Sequence, residues 1–415
     1  MRFASFLAST PVAAVVVLLA GSVRAQDRTT EAGEAAITNP NIECSDYTYT
    51  PVDSQAAKFP NNWETATIVA SDAAGLAKWN AIKGSIPTNI TARGTTAGDF
   101  SGVNYPSSDP DCWWTYNKCT TPKLAGLHPD TVNMPEPLTL GYGFDDGPNC
   151  SHNAFYEFLS EQKQKATMFY IGSNVQNHPL EAQRAVADGH EICVHTWSHP
   201  YMTSVSSEGV FAELYYTLEM IKLATGVTPT CWRPPYGDID DRVRAVGAAL
   251  GLRAILWEYD SNDWMVGDTS TTPAQVDANY EHLITLAGNG TFATQGTIIL
   301  THEINNYTMQ EAINFYPKLK AVFTLVPVGV GYNITQPYIE TNYTQPTFAQ
   351  YTGGTTTTNA SASATASGSL SASSKPAPTT TPGADSTQGS GAASLSAAGC
   401  VAAASALLGG LALLL

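Results

Sequence analysis

Two adjacent aspartates, two histidines four residues apart and a third histidine far downstream are the residues of this 415-residue chain best suited to act together. Asp145-Asp146 stands before Gly147-Pro148, a run that also spells a turn. Neighbours leaving a strand point in different directions, so one carboxylate can bind a metal while the other faces a substrate. His195 and His199 bracket Thr196-Trp197-Ser198, and both rings can meet on one face of a helical turn. A pair of neutral imidazoles suits zinc or a similar divalent ion, and a solvated or capping pair is the alternative. Arg233, held in Arg233-Pro234-Pro235-Tyr236-Gly237-Asp238, is either a surface ion-pair partner or the group that pairs with Asp145. Asp260 and Asp263 lie in Asp260-Ser261-Asn262-Asp263-Trp264, where each also reads as a loop cap. His302 directly follows Leu300-Thr301, a place where satisfied core histidines also occur. Taken together, these residues supply a two-histidine, one-carboxylate metal set, a spare carboxylate and a spare histidine. Those are the parts of metal-assisted hydrolysis.

Such groups must be positioned by a frame, and the frame is legible from residue 137 to about 330. Strands are expected at 138–142, 166–171, 191–194, 230–232, 253–257, 297–300 and 323–326, the last stopped by Pro327. Helices alternate with them. One spans 153–164, with Phe155, Phe158 and Leu159 on one face, and a short one spans 180–188, ending at Gly189. A long helix over 207–225 carries Val210, Leu214, Leu218 and Ile221, and the next carries Val243, Val246 and Leu250. The last two cover 273–287 and 308–320. This rhythm predicts an α/β fold with parallel strands, a distorted (β/α) barrel of about seven repeats, with an open doubly wound sheet as the other solution. In either, ligands bind beyond the C-terminal strand ends, and the five polar clusters each fall just after a strand.

The rest of the chain is organised differently. Residues 1–25 combine Arg2, a short apolar run and Val23-Arg24-Ala25, the layout of a secretory signal peptide; a membrane anchor would need a longer run. Residues 26–136 are rich in turn signals and read as an irregular N-terminal extension packed on a catalytic domain over 137–351. The linker 352–391 is Ser/Thr-rich and expected to be a disordered, O-glycosylated stalk. Residues 392–415 resemble a glycolipid (GPI) anchor signal removed on attachment near Ser390, with no basic residue after the apolar tail as a spanning helix would have.

Charged residues are only 13%, and 36 Asp+Glu against 20 Lys+Arg give a net charge of −16, which argues against nucleic-acid binding. No obligate protein partner is evident. Of seven cysteines Cys400 falls in the tail, and the remaining six suggest disulfides, with a local Cys112–Cys119 loop the one pairing expected and zinc-thiolate ligation the rival. Sequons stand at Asn89, Asn149, Asn289, Asn306, Asn333, Asn342 and Asn359; a glycan at Asn149 would crowd the candidate site.

In this order the five clusters resemble the polysaccharide deacetylase family of carbohydrate esterases, most closely its fungal chitin deacetylases. Lys165-Ala166-Thr167-Met168-Phe169-Tyr170-Ile171-Gly172-Ser173-Asn174 is similar to that family as well, and the likeness covers about 137–330. The resemblance implies one divalent metal, usually zinc and sometimes cobalt, held by Asp146, His195 and His199. It implies Asp145 as general base, Arg233 orienting it, and the Tyr236 N–H at the oxyanion. It implies His302 as general acid tuned by Asp260, with Trp264 and Leu300 walling an acetyl pocket. The activity implied is removal of N-acetyl groups from chitin at the cell wall, by an enzyme secreted and tethered to the outer membrane face through its anchor. An acetyl-xylan esterase or peptidoglycan deacetylase of the same fold, or a wall glycoprotein that only binds glycan, are the alternatives. One departure is visible: Gly143 stands where the family commonly has Thr.

Overall fold

Apolar runs too short for helices become strands buried on both faces, as parallel sheets flanked by helices require. The computed structural model describes residues 27–267 and 271–354. The signal segment 1–25, the linker from 355 onward, and the anchor signal 392–415 with Ser390 lie outside the described residues. The strands are β1 (Asn133–Met134), β2 (Thr139–Gly141), β3 (Gly143–Gly147), β4 (Thr167–Tyr170), β5 (Glu191–Val194), β6 (Cys231–Trp232), β7 (Arg253–Ala254), β8 (Tyr259–Asp260), β9 (Gly296–Leu300) and β10 (Thr324–Val326).

They form two sheets, one ordered β1-β9-β2-β10 with β8 also on β9, the other β3-β4-β5-β6-β7. Every pairing is parallel except β1 with β9. A strand is expected at 138–142 with a polar cluster after it; the structure has β2 there and a second strand, β3, over that cluster, and the stretch 139–147 serves both sheets. Its first half pairs with β9 and β10, its second with β4. At the crossover the Tyr142 N–H donates to Val326 O while Tyr142 O accepts from Thr167 N. Of the expected strand 253–257 only Arg253–Ala254 is strand, β7 on β6, and β8 on β9 begins beyond it at Tyr259. The ladder is therefore less even than a regular seven-repeat ring: β6, β7 and β8 are two residues each, and two stretches of backbone are shared between the sheets.

The helices fall close to their expected places: Asn153–Glu161, Pro179–Ala187, Ser207–Thr225, Asp241–Ala249, Pro273–Gly288 and Asn306–Val322. Ser206 caps Ser207–Thr225 by accepting from the Gly209 N–H, and Gly226 ends it with φ +82°. That helix is buried on nearly all sides because the N-terminal extension covers the face the sheet does not. The extension holds short helices at Glu31–Ala35, Pro40–Glu43, Thr50–Asp53, Ala73–Ile82 and Trp114–Asn117, and its Trp79 packs its ring 5.5 Å from that of Phe211. It also contributes β1 and a bridge from Thr131 to Ile255, so its end is part of the sheet. No helix among the described residues is long and apolar enough to cross a membrane.

Six cysteines form three disulfides, Cys44–Cys150, Cys112–Cys119 and Cys193–Cys231, which removes the zinc-thiolate reading. The first ties the extension to the loop after β3; the third joins neighbouring strands β5 and β6.

Candidate active site

The polar clusters meet at the C-terminal ends of the strands. Asp145 and Asp146 end β3, His195 follows β5, Arg233 follows β6 and His302 follows β9. Asp146 Oδ1 lies 3.3 Å from His195 Nε2 and 3.1 Å from His199 Nε2. All three donor atoms fall within 4.8 Å of one another. Asp146 Oδ1 is buried without a hydrogen-bond donor, a state costly for a carboxylate unless a cation completes it. Burial alone would raise this carboxyl, but His199 and His195 beside it hold it well below the usual carboxylate range. The His195 Nδ1–H donates to Arg233 O at 2.8 Å, which turns Nε2 toward Asp146, the outer bond that ligating histidines commonly make. Two imidazole nitrogens and one carboxylate oxygen fit a divalent ion of the zinc type.

Asp145 sits beside this trio but is engaged elsewhere. Arg233 Nη1 donates to its Oδ1 at 2.7 Å, and the guanidinium lies 3.9 Å over the Phe169 ring, both groups buried. The other guanidinium nitrogens donate to Ile255 O and Leu256 O, so the arginine is fixed on several sides. Asp145 also forms a parallel bridge with His302: its N–H donates to Thr301 O at 2.9 Å, and its carbonyl accepts from Glu303 N at 2.8 Å. The spare carboxylate and the spare histidine are thus locked in register by backbone.

The expected partner of His302 is corrected here. Asp263, not Asp260, takes the His302 Nδ1 hydrogen bond, at 2.6 Å, and also accepts from the His302 backbone N–H at 3.0 Å. Asp260 instead accepts from Asn262 N at 2.8 Å and from the Trp264 side chain. The two-residue strand β8 ends at Asp260, and the 3-10 turn Asp263–Met265 then swings the second aspartate under the histidine. Burial disfavours a charged His302, but Asp263, with Asp146 and Asp145 farther off, raises its pKa to about 9. Trp264 is 39% exposed with its ring 6.4 Å from that of His302, and Leu300 is buried at the end of β9. Tyr236 stacks on Tyr201 at 4.0 Å and meets the His199 ring at 4.6 Å.

Rim residues of this site hold φ values that side chains other than glycine rarely adopt: Asp146 71°, Thr196 67°, His199 58°, Tyr236 57° and Asn262 55°. Each costs about 1–3 kcal/mol, and such strain collects where geometry is needed for function. Gly143, the departure from the family pattern, has a local cause. A Cβ there would lie 2.6 Å from Thr167 O.

Two buried carboxylates escaped the sequence reading. Glu213 accepts from the N–H groups of Trp197 and Ser198, from Ser198 Oγ and from Ala66 N, all within 2.9 Å, so it clamps the loop between His195 and His199. A charge in the middle of an apolar helix is the signal that marks it. Glu303 bonds His152 Nδ1, Asn149 N and Tyr156 Oη behind the Asp145 loop; its position next to His302 is its only signal. The Asn149 side chain donates to Ile304 O, so this sequon is occupied by an internal contact.

The polysaccharide deacetylase family model matches residues 135–255. Chitin deacetylase 2 of Cryptococcus neoformans var. neoformans serotype D is 52% identical over 343 residues, 81% of this chain and 75% of that protein. The chitin deacetylase of Amylomyces rouxii is 48% identical over 312 residues, 73% of each chain. The solved chitin deacetylase of Colletotrichum lindemuthianum aligns over 50% of this chain and 92% of its own, with 22% identity and a TM-score of 0.44. Half-identity sustained well beyond the clusters, into the extension, is more than shared site chemistry would produce: the chain belongs to the polysaccharide deacetylase family.

Proposed function

We propose that the protein is a chitin deacetylase, hydrolysing the N-acetyl groups of chitin to give chitosan and acetate. The observation that carries this reading is that a metal set, an arginine-held carboxylate and an aspartate-held histidine stand together at the strand ends. The roughly 50% identity to fungal chitin deacetylases supports the choice of substrate. Asp146, His195 and His199 would hold one divalent ion, zinc in first place by their nitrogen-rich donor set and cobalt in second. When bound, such an ion supplies Lewis-acid polarisation of the amide carbonyl and eases deprotonation of the attacking water.

The chain's own groups do the rest. Asp145, held by Arg233, takes the proton of the attacking water. The Tyr236 N–H, presented by its left-handed turn, meets the oxygen on which charge develops. His302, charged through Asp263, gives its Nε2 proton to the departing amine, without which an amide nitrogen is a poor leaving group. Trp264 and Leu300 flank the space left for the acetyl methyl. The signal segment, stalk and anchor signal support a place outside the cell, with the enzyme on the outer membrane face or in the wall.

A barrel that only binds glycan has no use for a buried arginine on one carboxylate and a buried aspartate on the histidine. A peptidoglycan deacetylase of Listeria monocytogenes, 31% identical over 46% of this chain, keeps that substrate class as the second reading. The test is acetate release from N-acetylglucosamine oligomers, acetylated xylan and peptidoglycan, with and without chelator. Chelator-sensitive release from the oligomers above the other two is expected; equal or greater release from another substrate overturns the assignment.

A further inference from the structure

The N-terminal extension lays one segment directly on the metal-binding loop. Phe59 stacks on Trp197 with centroids 5.9 Å apart and planes 9° from parallel. Asn61 O accepts from Trp197 Nε1 at 2.9 Å, Asn62 donates to the Asn177 side chain at 2.7 Å, and Ala66 N donates to Glu213. Between these fixed points the Trp63 N–H donates to Ser173 Oγ at 2.9 Å, and Ser173 in turn donates to Trp197 O. The backbone around Trp63 is thus pinned to the loop that carries His195 and His199, and to the helix Gly172–Asn177, whose Asn174 holds Asp146 O.

Trp63 itself is left out. It is 50% exposed, and its φ of 63° puts a bulky residue in the left-handed region, where a side chain is a genuine outlier. A strained backbone tied on both sides that nevertheless presents an indole to solvent is a conformation worth its cost only if the indole is used. The distribution of exposed aromatics points the same way. Among the described residues the large aromatic side chains that stand exposed are Trp63, Tyr116, Tyr236 and Trp264. Tyr236 stands against His199 and Trp264 near His302, and Tyr116 lies in the helix Trp114–Asn117, whose Thr115 bonds Asp238 just beyond Tyr236. All four belong to elements near the site; exposed aliphatics occur both there, at Ile304, and away from it, at Leu76 and Ile339.

We propose that Trp63 is a sugar-stacking subsite that binds a pyranose ring of the polysaccharide beyond the unit being deacetylated, on the side of the metal loop. The apolar face of a pyranose matches an indole in size, and no charge is needed from a neutral glycan meeting an acidic protein. The subsite rests on the chitin reading above, and makes the extension a determinant of chain-length preference.

The experiment compares the full metal-loaded enzyme with Trp63→Ala and Trp63→Phe on the dimer and the hexamer of N-acetylglucosamine. For Trp63→Ala, KM for the hexamer rises about tenfold, the scale of one lost aromatic contact, while kcat on the hexamer and both constants on the dimer are unchanged. Trp63→Phe restores most of the hexamer affinity. Ile339→Ala, an exposed residue off the rim, leaves every constant at the wild-type value. An equal loss on both oligomers indicates a merely structural role and overturns the proposal, as does no effect on either. A wild-type enzyme that releases acetate from neither oligomer overturns the substrate reading itself, a result distinct from the first two.

Discussion

Asp145 and Asp146 are neighbours with different duties, and substitution should separate them. Asp145→Asn keeps the donor set of Asp146, His195 and His199 and removes the proton acceptor. Turnover is expected to fall by at least about a hundredfold while metal analysis of the purified protein stays at the wild-type content. The two aspartates of the next cluster are separated by pH. His302 must carry its proton to act as an acid, and its pKa lies at about 9. On the alkaline side activity is therefore expected to fall as pH rises through that value. Asp263→Asn removes the chief raising influence, so the alkaline limb of kcat moves down toward the ordinary histidine value of 6.5. Asp260→Asn, which removes only a through-space influence and no hydrogen bond to the imidazole, moves that limb less. The sequence made the site's members visible because each follows a strand, but it did not distinguish Asp260 from Asp263. Both are loop aspartates three residues apart, and only the 3-10 turn between them decides which one reaches the imidazole.

At the scale of elements, helices were legible almost to the residue because a 3.6-residue apolar stripe and a terminal glycine mark them, as at 207–225. The strands were less so. The run 138–142 reads as the whole strand because the polar Asp145-Asp146-Gly147-Pro148 after it spells a turn, whereas the backbone there continues as β3 on β4. The helix Gly172–Asn177 was missed since Gly-Ser-Asn spells a turn. The helix Ser207–Thr225 also carries a function its pattern did not disclose, through Glu213. Glu213→Gln keeps the shape but turns one acceptor into an NH2 that faces donors, loosening the loop between the two histidines proposed as ligands. Metal affinity, measured by competition with a chelator, is expected to weaken by about 10–100-fold, with far-ultraviolet circular dichroism unchanged. An unaltered affinity would show that the loop holds its form without the clamp.

The described residues form an α/β body whose covering layer is built from the N-terminal extension. The extension supplies β1, buries Trp79 against Phe211, and is joined to the Asp145 loop by Cys44–Cys150, a bond that closes 106 residues of chain. Replacing both cysteines with serine is expected to lower stability by about 3–5 kcal/mol, the range for loops of that length, read as a lower denaturant midpoint. A midpoint at the wild-type position would mean that packing alone secures the extension. The expected boundary at 136 marked a change in periodicity, whereas the physical boundary is blurred: Thr131 to Met134 already belong to the sheet.

Cys193 and Cys231 stand two positions ahead of His195 and Arg233 on adjoining strands. The two halves of the centre are consequently fastened by an oxidation step and not by folding alone. Reduction of that disulfide would leave β5 and β6 joined by their backbone pairing. Activity measured with and without a thiol reductant is therefore expected to reveal what that tether adds to the backbone pairing of the two strands.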